Sequence, residues 1–133
     1  MNVDKILKVL MIASDTSGPS YHVLHLPSHY FQKYNLIQST VITSLDKLLV
    51  ADADVVLFQR QYVPEVLMFL RKAKQDGKVM ITNVDDNIWH LPDGNPAKKI
   101  YSGDILARYE AILREVHAVI TSTPYLKKLI LPF

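Results

Sequence analysis

Ile6-Leu7-Lys8-Val9-Leu10-Met11-Ile12-Ala13, running straight into Ser14-Asp15-Thr16-Ser17-Gly18-Pro19-Ser20, is the stretch on which the fold turns. The apolar run is broken only by Lys8 and lacks the alternation of a one-sided strand. That pattern predicts a strand covered on both faces, as in a parallel sheet. The Ser/Asp/Thr/Gly/Pro cluster behind it predicts a loop at the strand's carboxyl end.

Strand-like and helix-like segments then alternate along the chain. Residues 21–34 read as helix, with Pro27 either kinking the segment or starting its main part in the first turn. Residues 40–43 read as a second strand. Ser44 is positioned to cap a short helix over 45–51, with Leu45, Leu48 and Leu49 on its buried side. A third strand, 54–58, leads into Gln59-Arg60-Gln61. The helix over 63–76 has Pro64 in its first turn, an apolar stripe of Val63, Val66, Leu67, Leu70 and Ala73, and Gly77 to close it. A fourth strand, 78–84, opens into a long polar loop over 85–98. Residues 102–115 form the next helix, with Ile105, Leu106, Tyr109, Ile112 and Leu113 on one face. A fifth strand, 117–121, precedes a last helix over 124–130 that Ser122 or Thr123 can cap.

Strands joined by helical crossovers pair in parallel with right-handed connections. The expectation is an α/β, Rossmann-like, doubly wound open sheet of about five parallel strands with helices on both faces. Residues 1–133 make one domain, and 49% hydrophobic with 21% charged residues is the composition of a soluble globular one. A net charge of +2 is too small and too dispersed for a nucleic-acid binder. With no cysteine, thiolate chemistry and disulfides are excluded. No apolar run approaches the roughly 18 residues of a membrane span. The N-terminus, with Asp4 and Lys5, lacks a leader-cleavage pattern, so the expected location is cytoplasmic.

In such a sheet ligands bind beyond the carboxyl ends of the strands. That rule selects residues 14–22, 59–62, 85–95 and 121–124. Gly18 and Ser20 sit just ahead of a helix, where free amides favour an anion or where they are simply a turn glycine and a capping serine. Neither phosphate-binding glycine fingerprint is present. His22 follows that loop directly and is placed to contact a ligand. His25 and His29 have metal-ligand spacing, but Pro27 between them argues against a metal site. Arg60 is placed either to clamp a phosphate or carboxylate or to form a surface ion pair. Asp85 and Asp86 are the candidate catalytic pair. Being adjacent on an extended strand, they are expected to point opposite ways and not to share one task. Trp89 is either a platform for a sugar ring or an anchor for its loop. His90 and Asn95 follow in the same loop, and Ser122 and Thr123 border the last strand.

Taken together, Gly18-Pro19-Ser20-Tyr21-His22 with Leu26-Pro27, Gln59-Arg60, Asp85-Asp86-Asn87-Ile88-Trp89-His90-Leu91-Pro92 with Asn95-Pro96, and Thr121-Ser122-Thr123 with Leu126 resemble bacterial and phage glycosyltransferases of the GT-B type, close to family 4. The resemblance implies two Rossmann-like domains facing across a cleft. The N-terminal one receives the sugar acceptor and the C-terminal one holds most of the nucleotide-sugar donor, which is a co-substrate rather than a cofactor. It places Gly18 near the donor phosphates, turns Asp85 and Asp86 toward the cleft, and sets Ser122 and Thr123 at its border. The chain stops at Leu131-Pro132-Phe133, so the donor domain is expected from elsewhere, as a C-terminal domain or a second chain. The isolated chain is then expected to be inactive. The competing expectation is a non-catalytic binding or interaction module, with an exposed apolar patch around Trp89 and the chain end and self-association as a homodimer.

Overall fold

The computed structural model describes residues 6–133. Asp4 and Lys5, which carried the expectation about a leader, lie outside them. Five strands, β1 (Lys8–Ile12), β2 (Gln38–Ile42), β3 (Val55–Gln59), β4 (Val79–Val84) and β5 (Ala118–Thr121), form one sheet. Their order is β2-β1-β3-β4-β5 and every pairing is parallel. The chain steps outward from β1 to β2, then returns past β1 to β3. This reversal between β1 and β3 is the switch point at which a doubly wound sheet opens a crevice.

Helices cover the two faces unequally. α1 (Gly18–Ser20), a π-helical segment (Tyr21–His25) and α2 (Leu26–Lys33) run on as one continuous helix over one face. Leu24 from this helix packs against Met11, Ala13 and Leu57. The opposite face carries α3 (Lys47–Asp52), α4 (Pro64–Gln75) and, after a short α5 (Ala97–Ile100), α6 (Asp104–Glu115). Here Leu10, Ile12, Val56, Phe58 and Met80 from the sheet meet Val50, Val66, Leu70, Ala73 and Ile112 from the helices. β5 is bare on the first face: Ala118 and Ile120 are exposed while Val119 and Thr121 are half-buried.

Pro27 does not break its helix. It lacks the N–H that would bond the carbonyl of Val23, and its ring crowds that carbonyl. The preceding turn widens instead, and Leu26 N–H donates to Tyr21 O, one residue further back than in an α-helix. Gly77 closes α4 with φ at +78°, a left-handed conformation that a Cβ would strain, as its position after the helix predicted.

α3 departs from expectation in both register and facing. It begins at Lys47, and its N-cap is Asp46, whose carboxylate accepts from the amides of Leu48 and Leu49, rather than Ser44. Val50 and, just beyond the helix, Ala53 are the buried residues. Leu45, Leu48 and Leu49, expected inside, are 38%, 82% and 37% exposed. The last helix, α7 (Pro124–Ile130), is capped by Thr123, which accepts from Leu126 N–H. Among the described residues no helix is long and apolar enough to cross a membrane.

Candidate functional site

Because all strands run the same way, the residues after β1, β3, β4 and β5 emerge at one end of the sheet. Arg60 follows β3 in a left-handed backbone conformation, φ +50°, that a non-glycine residue rarely adopts. This turn swings its side chain toward β4. Nε donates to Asp85 Oδ1 at 3.1 Å and Nη2 to Asp85 Oδ2 at 2.9 Å, a forked pair. Nη2 also reaches Asp86 Oδ2 at 2.7 Å. The two aspartates therefore share one guanidinium, contrary to the expectation that neighbours on a strand point apart. β4 ends at Val84, so strand alternation no longer governs residues 85 and 86. Their settings differ: the Asp85 side chain is 16% exposed and that of Asp86 63%. Burial opposes the charge on Arg60, but the hydrogen bonds and charges of Asp85, then the charge of Asp86, outweigh it and hold its pKa above the ordinary value.

A chain of polar contacts links this cluster back to β1. Gln59, fully buried at the end of β3, donates from Nε2 to Asp85 Oδ2 at 3.3 Å. Its Oε1 lies 2.8 Å from the buried Ser20 hydroxyl, which also lies 2.9 Å from Asp15 Oδ1. The single Ser20 proton serves one of the two acceptors at a time. Asp15 Oδ1 further accepts from the amide of Ser17 at 2.8 Å and from its hydroxyl. These donors, Ser17 first and then Ser20, pull the Asp15 pKa down to about 2, so the carboxylate is ionised under any ordinary condition. On the far side, Ser122 donates to the backbone carbonyl of Asp85 at 3.2 Å and ties the tip of β5 to that of β4.

Between the β1 and β3 tips lies a cleft of about 300 Å³ lined by Ser14, Asp15, Arg60, Gln61, Tyr62 and Tyr101. Tyr62 and Tyr101 meet edge to face, their ring centres 5.8 Å apart. Burial raises the pKa of Tyr101, so its phenol remains a neutral donor. Ser14 Oγ is shielded from solvent and has no hydrogen-bond partner among the described residues. Three carboxylates, those of Asp15, Asp85 and Asp86, surround the single guanidinium, so the mouth is acidic.

No protein-family model matches the chain, and no curated protein matches it either. Among solved structures, a conserved protein from Enterococcus faecalis V583 aligns over 95% of this chain and 98% of its own, with a TM-score of 0.54 and 13% identity. At that identity the likeness is one of fold.

The other sequence candidates divide by location. Gly18 lies beside the Asp15–Ser20 contacts, and a Cβ built on it would meet nothing within 4 Å, so the space above it is open. His22 is exposed on the π-helical segment with its ring against Tyr21. Trp89 is half-buried: one face stacks on Phe133, its edge meets Tyr109, and Nε1 donates to Glu110. His90 is exposed and contacts Asn87 Oδ1 through its backbone amide and ring. Asn95 accepts from the amide of Ala97 in an Asx turn just ahead of α5, and Thr123 caps α7. Among the described residues no group of three or more His, Asp or Glu is arranged to hold a metal ion.

Ser14, Asp15, Gln59, Gln61 and Tyr62 lie in the segments 14–22 and 59–62 selected above, where they carried no role of their own, and Tyr101 comes in from beyond the 85–95 loop. The signal for Gln59 was available: a polar residue ending a buried apolar strand has to find partners. Tyr62 and Tyr101 lie far apart in sequence, and nothing local marks them as a pair.

Proposed function

We propose that this domain is the acceptor-side half of a glycosyltransferase and that the cleft between the β1 and β3 tips receives a sugar acceptor. The observation that carries the reading is the engagement of Arg60 Nε and Nη2 by Asp85 and Asp86. A guanidinium whose charge two carboxylates already balance attracts a phosphate weakly, and an acidic mouth repels one. Hydroxyl groups suit it well, because each donates to a carboxylate without bringing a negative charge. Asp15, Asp86 and Gln61 supply acceptors, while Tyr62 and Tyr101 supply the aromatic wall on which an apolar sugar face packs. The donor nucleotide then has to be held by a facing domain.

Within this reading the two aspartates take unequal parts. Asp85 is locked by the Arg60 fork and positions it. Asp86, mostly exposed and bonded to Arg60 through Oδ2 alone, is the carboxylate that accepts the proton of the acceptor hydroxyl as that oxygen attacks the donor sugar and the anomeric carbon–phosphate oxygen bond breaks, releasing the nucleoside diphosphate. Its link to Arg60 holds it beside the mouth.

Saturation-transfer NMR on the chain tests the proposal with neutral mono- and disaccharides in one arm and UDP, GDP and their sugars in the other. Saccharide binding that fades in Asp15→Asn and Asp86→Ala, with weaker or absent nucleotide binding, is the expected result. Nucleotide binding tighter than saccharide binding would overturn it. Binding of neither, with a protein ligand at the same mouth, would favour the interaction-module reading. Sugar transfer in a protein joined to a donor domain, lost on Asp86→Ala, is the direct assay.

A further inference from the structure

The tips of β1, β3, β4 and β5 stand in a row in that order, and the cleft between β1 and β3 occupies only its first half. Arg60 at the β3 tip reaches Asp86 at the β4 tip, 2.7 Å away. Asn87 follows Asp86 directly, and its Nδ2 donates to the hydroxyl of Tyr125, beyond the β5 tip, at 3.3 Å. Ser122, exposed, joins the β5 tip to the Asp85 carbonyl. The polar row that begins in the cleft therefore continues across the mouth and ends at an aromatic ring.

Tyr125 is 61% exposed, yet held. Asn87 Oδ1 accepts from the amide of His90 at 3.2 Å and contacts its ring, so the loop fixes Asn87 and Asn87 fixes the phenol. A ring already tied in place loses little rotamer freedom when a ligand stacks on it. Its hydroxyl accepts from Asn87 and keeps its own proton to donate. An apolar face with a donor at its edge suits a sugar ring. Trp89, the platform that the sequence offered, spends one face on Phe133, its edge on Tyr109 and Nε1 on Glu110.

The spacing sets the ligand. Neighbouring strands lie about 4.8 Å apart, so the β3 and β5 tips, two spacings apart, are separated by about 10 Å. One sugar ring does not bridge that distance, and two linked rings do. We propose that Tyr125 is the platform of a second sugar subsite and that the acceptor is an oligosaccharide of at least two linked rings. One ring lies in the β1–β3 cleft and the next crosses Asp86 and Asn87 onto Tyr125. This rests on the sugar-acceptor reading of the cleft and adds the acceptor's length to it.

Calorimetric titration with the methyl glycosides of glucose, galactose and mannose, each against its di- and trisaccharide, tests it. In the wild type the best disaccharide should bind about tenfold tighter than its own monosaccharide, as for one added aromatic contact. Tyr125→Ala should abolish that gain and bring the disaccharide down to the monosaccharide's affinity. Tyr125→Trp, which keeps a platform, should retain the gain, and Asn87→Ala, which frees the ring, should lose part of it. Ring resonances of Tyr125 in the wild type should shift with the disaccharide and not with the monosaccharide, a readout that serves where a variant fails to fold. A disaccharide no tighter than its monosaccharide overturns the proposal and leaves the reading of the cleft intact. So does a gain that survives in Tyr125→Ala, or a Tyr125 ring indifferent to the disaccharide. Equal weakening of both ligands in Tyr125→Ala also overturns it, and makes Tyr125 a structural clip between the loop and α7. A wild type that binds no saccharide removes the sugar reading of the cleft and this proposal with it.

Discussion

Arg60 grips Asp85 through two near-parallel hydrogen bonds, Nε to Oδ1 at 3.1 Å and Nη2 to Oδ2 at 2.9 Å, from a backbone held at φ +50°. Side chain and backbone therefore contribute with opposite sign. Loss of the fork leaves a mostly buried carboxylate with no cation and only the Gln59 amide as side-chain donor, so Arg60→Ala should cost about 2 kcal/mol in urea unfolding. Glycine adopts the left-handed region without strain, so Arg60→Gly should cost about 1 kcal/mol less than Arg60→Ala. Arg60→Lys keeps the charge and loses the fork, and should fall between wild type and alanine. Equal effects of alanine and glycine would remove the strain from the account.

Asp15 sets a pH dependence. Its carboxyl titrates near 2 in the fold against about 4 in an unfolded chain. A depressed folded pKa contributes stability that is fully present above about pH 4 and is lost as the pH falls toward 2. Thermal melts across that window should drop more steeply for the wild type than for Asp15→Asn. A carboxyl-carbon NMR titration of Asp15 with its midpoint near 4 would contradict the hydrogen-bond assignment.

Capping separates two neighbouring residues that the sequence alone does not distinguish. Asp46 Oδ1 accepts from Leu48 N–H at 2.8 Å and Leu49 N–H at 3.2 Å, whereas Ser44 caps nothing. Asp46→Ala should destabilise by about 1 kcal/mol and Ser44→Ala by about zero. Chemical denaturation of the two variants side by side decides between them.

That pair shows where the sequence was readable and where it was not. Strand positions follow from apolar runs such as Leu10-Met11-Ile12, and α4 from its Val66–Leu70–Ala73 stripe, because a sheet buried on both faces leaves those residues no alternative. The position of Arg60, Asp85 and Ser122 at one mouth follows from parallel pairing alone. Contacts made by long-range approach were hidden. The sharing of Arg60 by two aspartates depends on where β4 stops, and the Tyr62–Tyr101 wall on how a loop folds back. The leucines of α3 misled for a different reason: Leu45, Leu48 and Leu49 are apolar yet exposed, and sequence pattern alone does not separate an apolar face turned to the core from one left at the surface.

The polar chain from Asp15 through Ser20 and Gln59 to Asp85 makes a last prediction about coupling. Gln59 is fully buried and is the only link in that chain between the tip of β1 and the tip of β4. Leucine fits its volume closely, so Gln59→Leu should cost only about 1 kcal/mol: Ser20 keeps Asp15 as acceptor and Asp85 keeps Arg60 as donor. The larger consequence is a loss of communication. In the wild type, Asp15→Asn and Arg60→Ala should be non-additive in urea unfolding by roughly 0.5–1 kcal/mol, because they sit on one hydrogen-bonded network. In the Gln59→Leu background the same two substitutions should add. If they are additive in both backgrounds, the network is a set of independent pairs, and the mouth is held together by the strands beneath it rather than by the side chains across it.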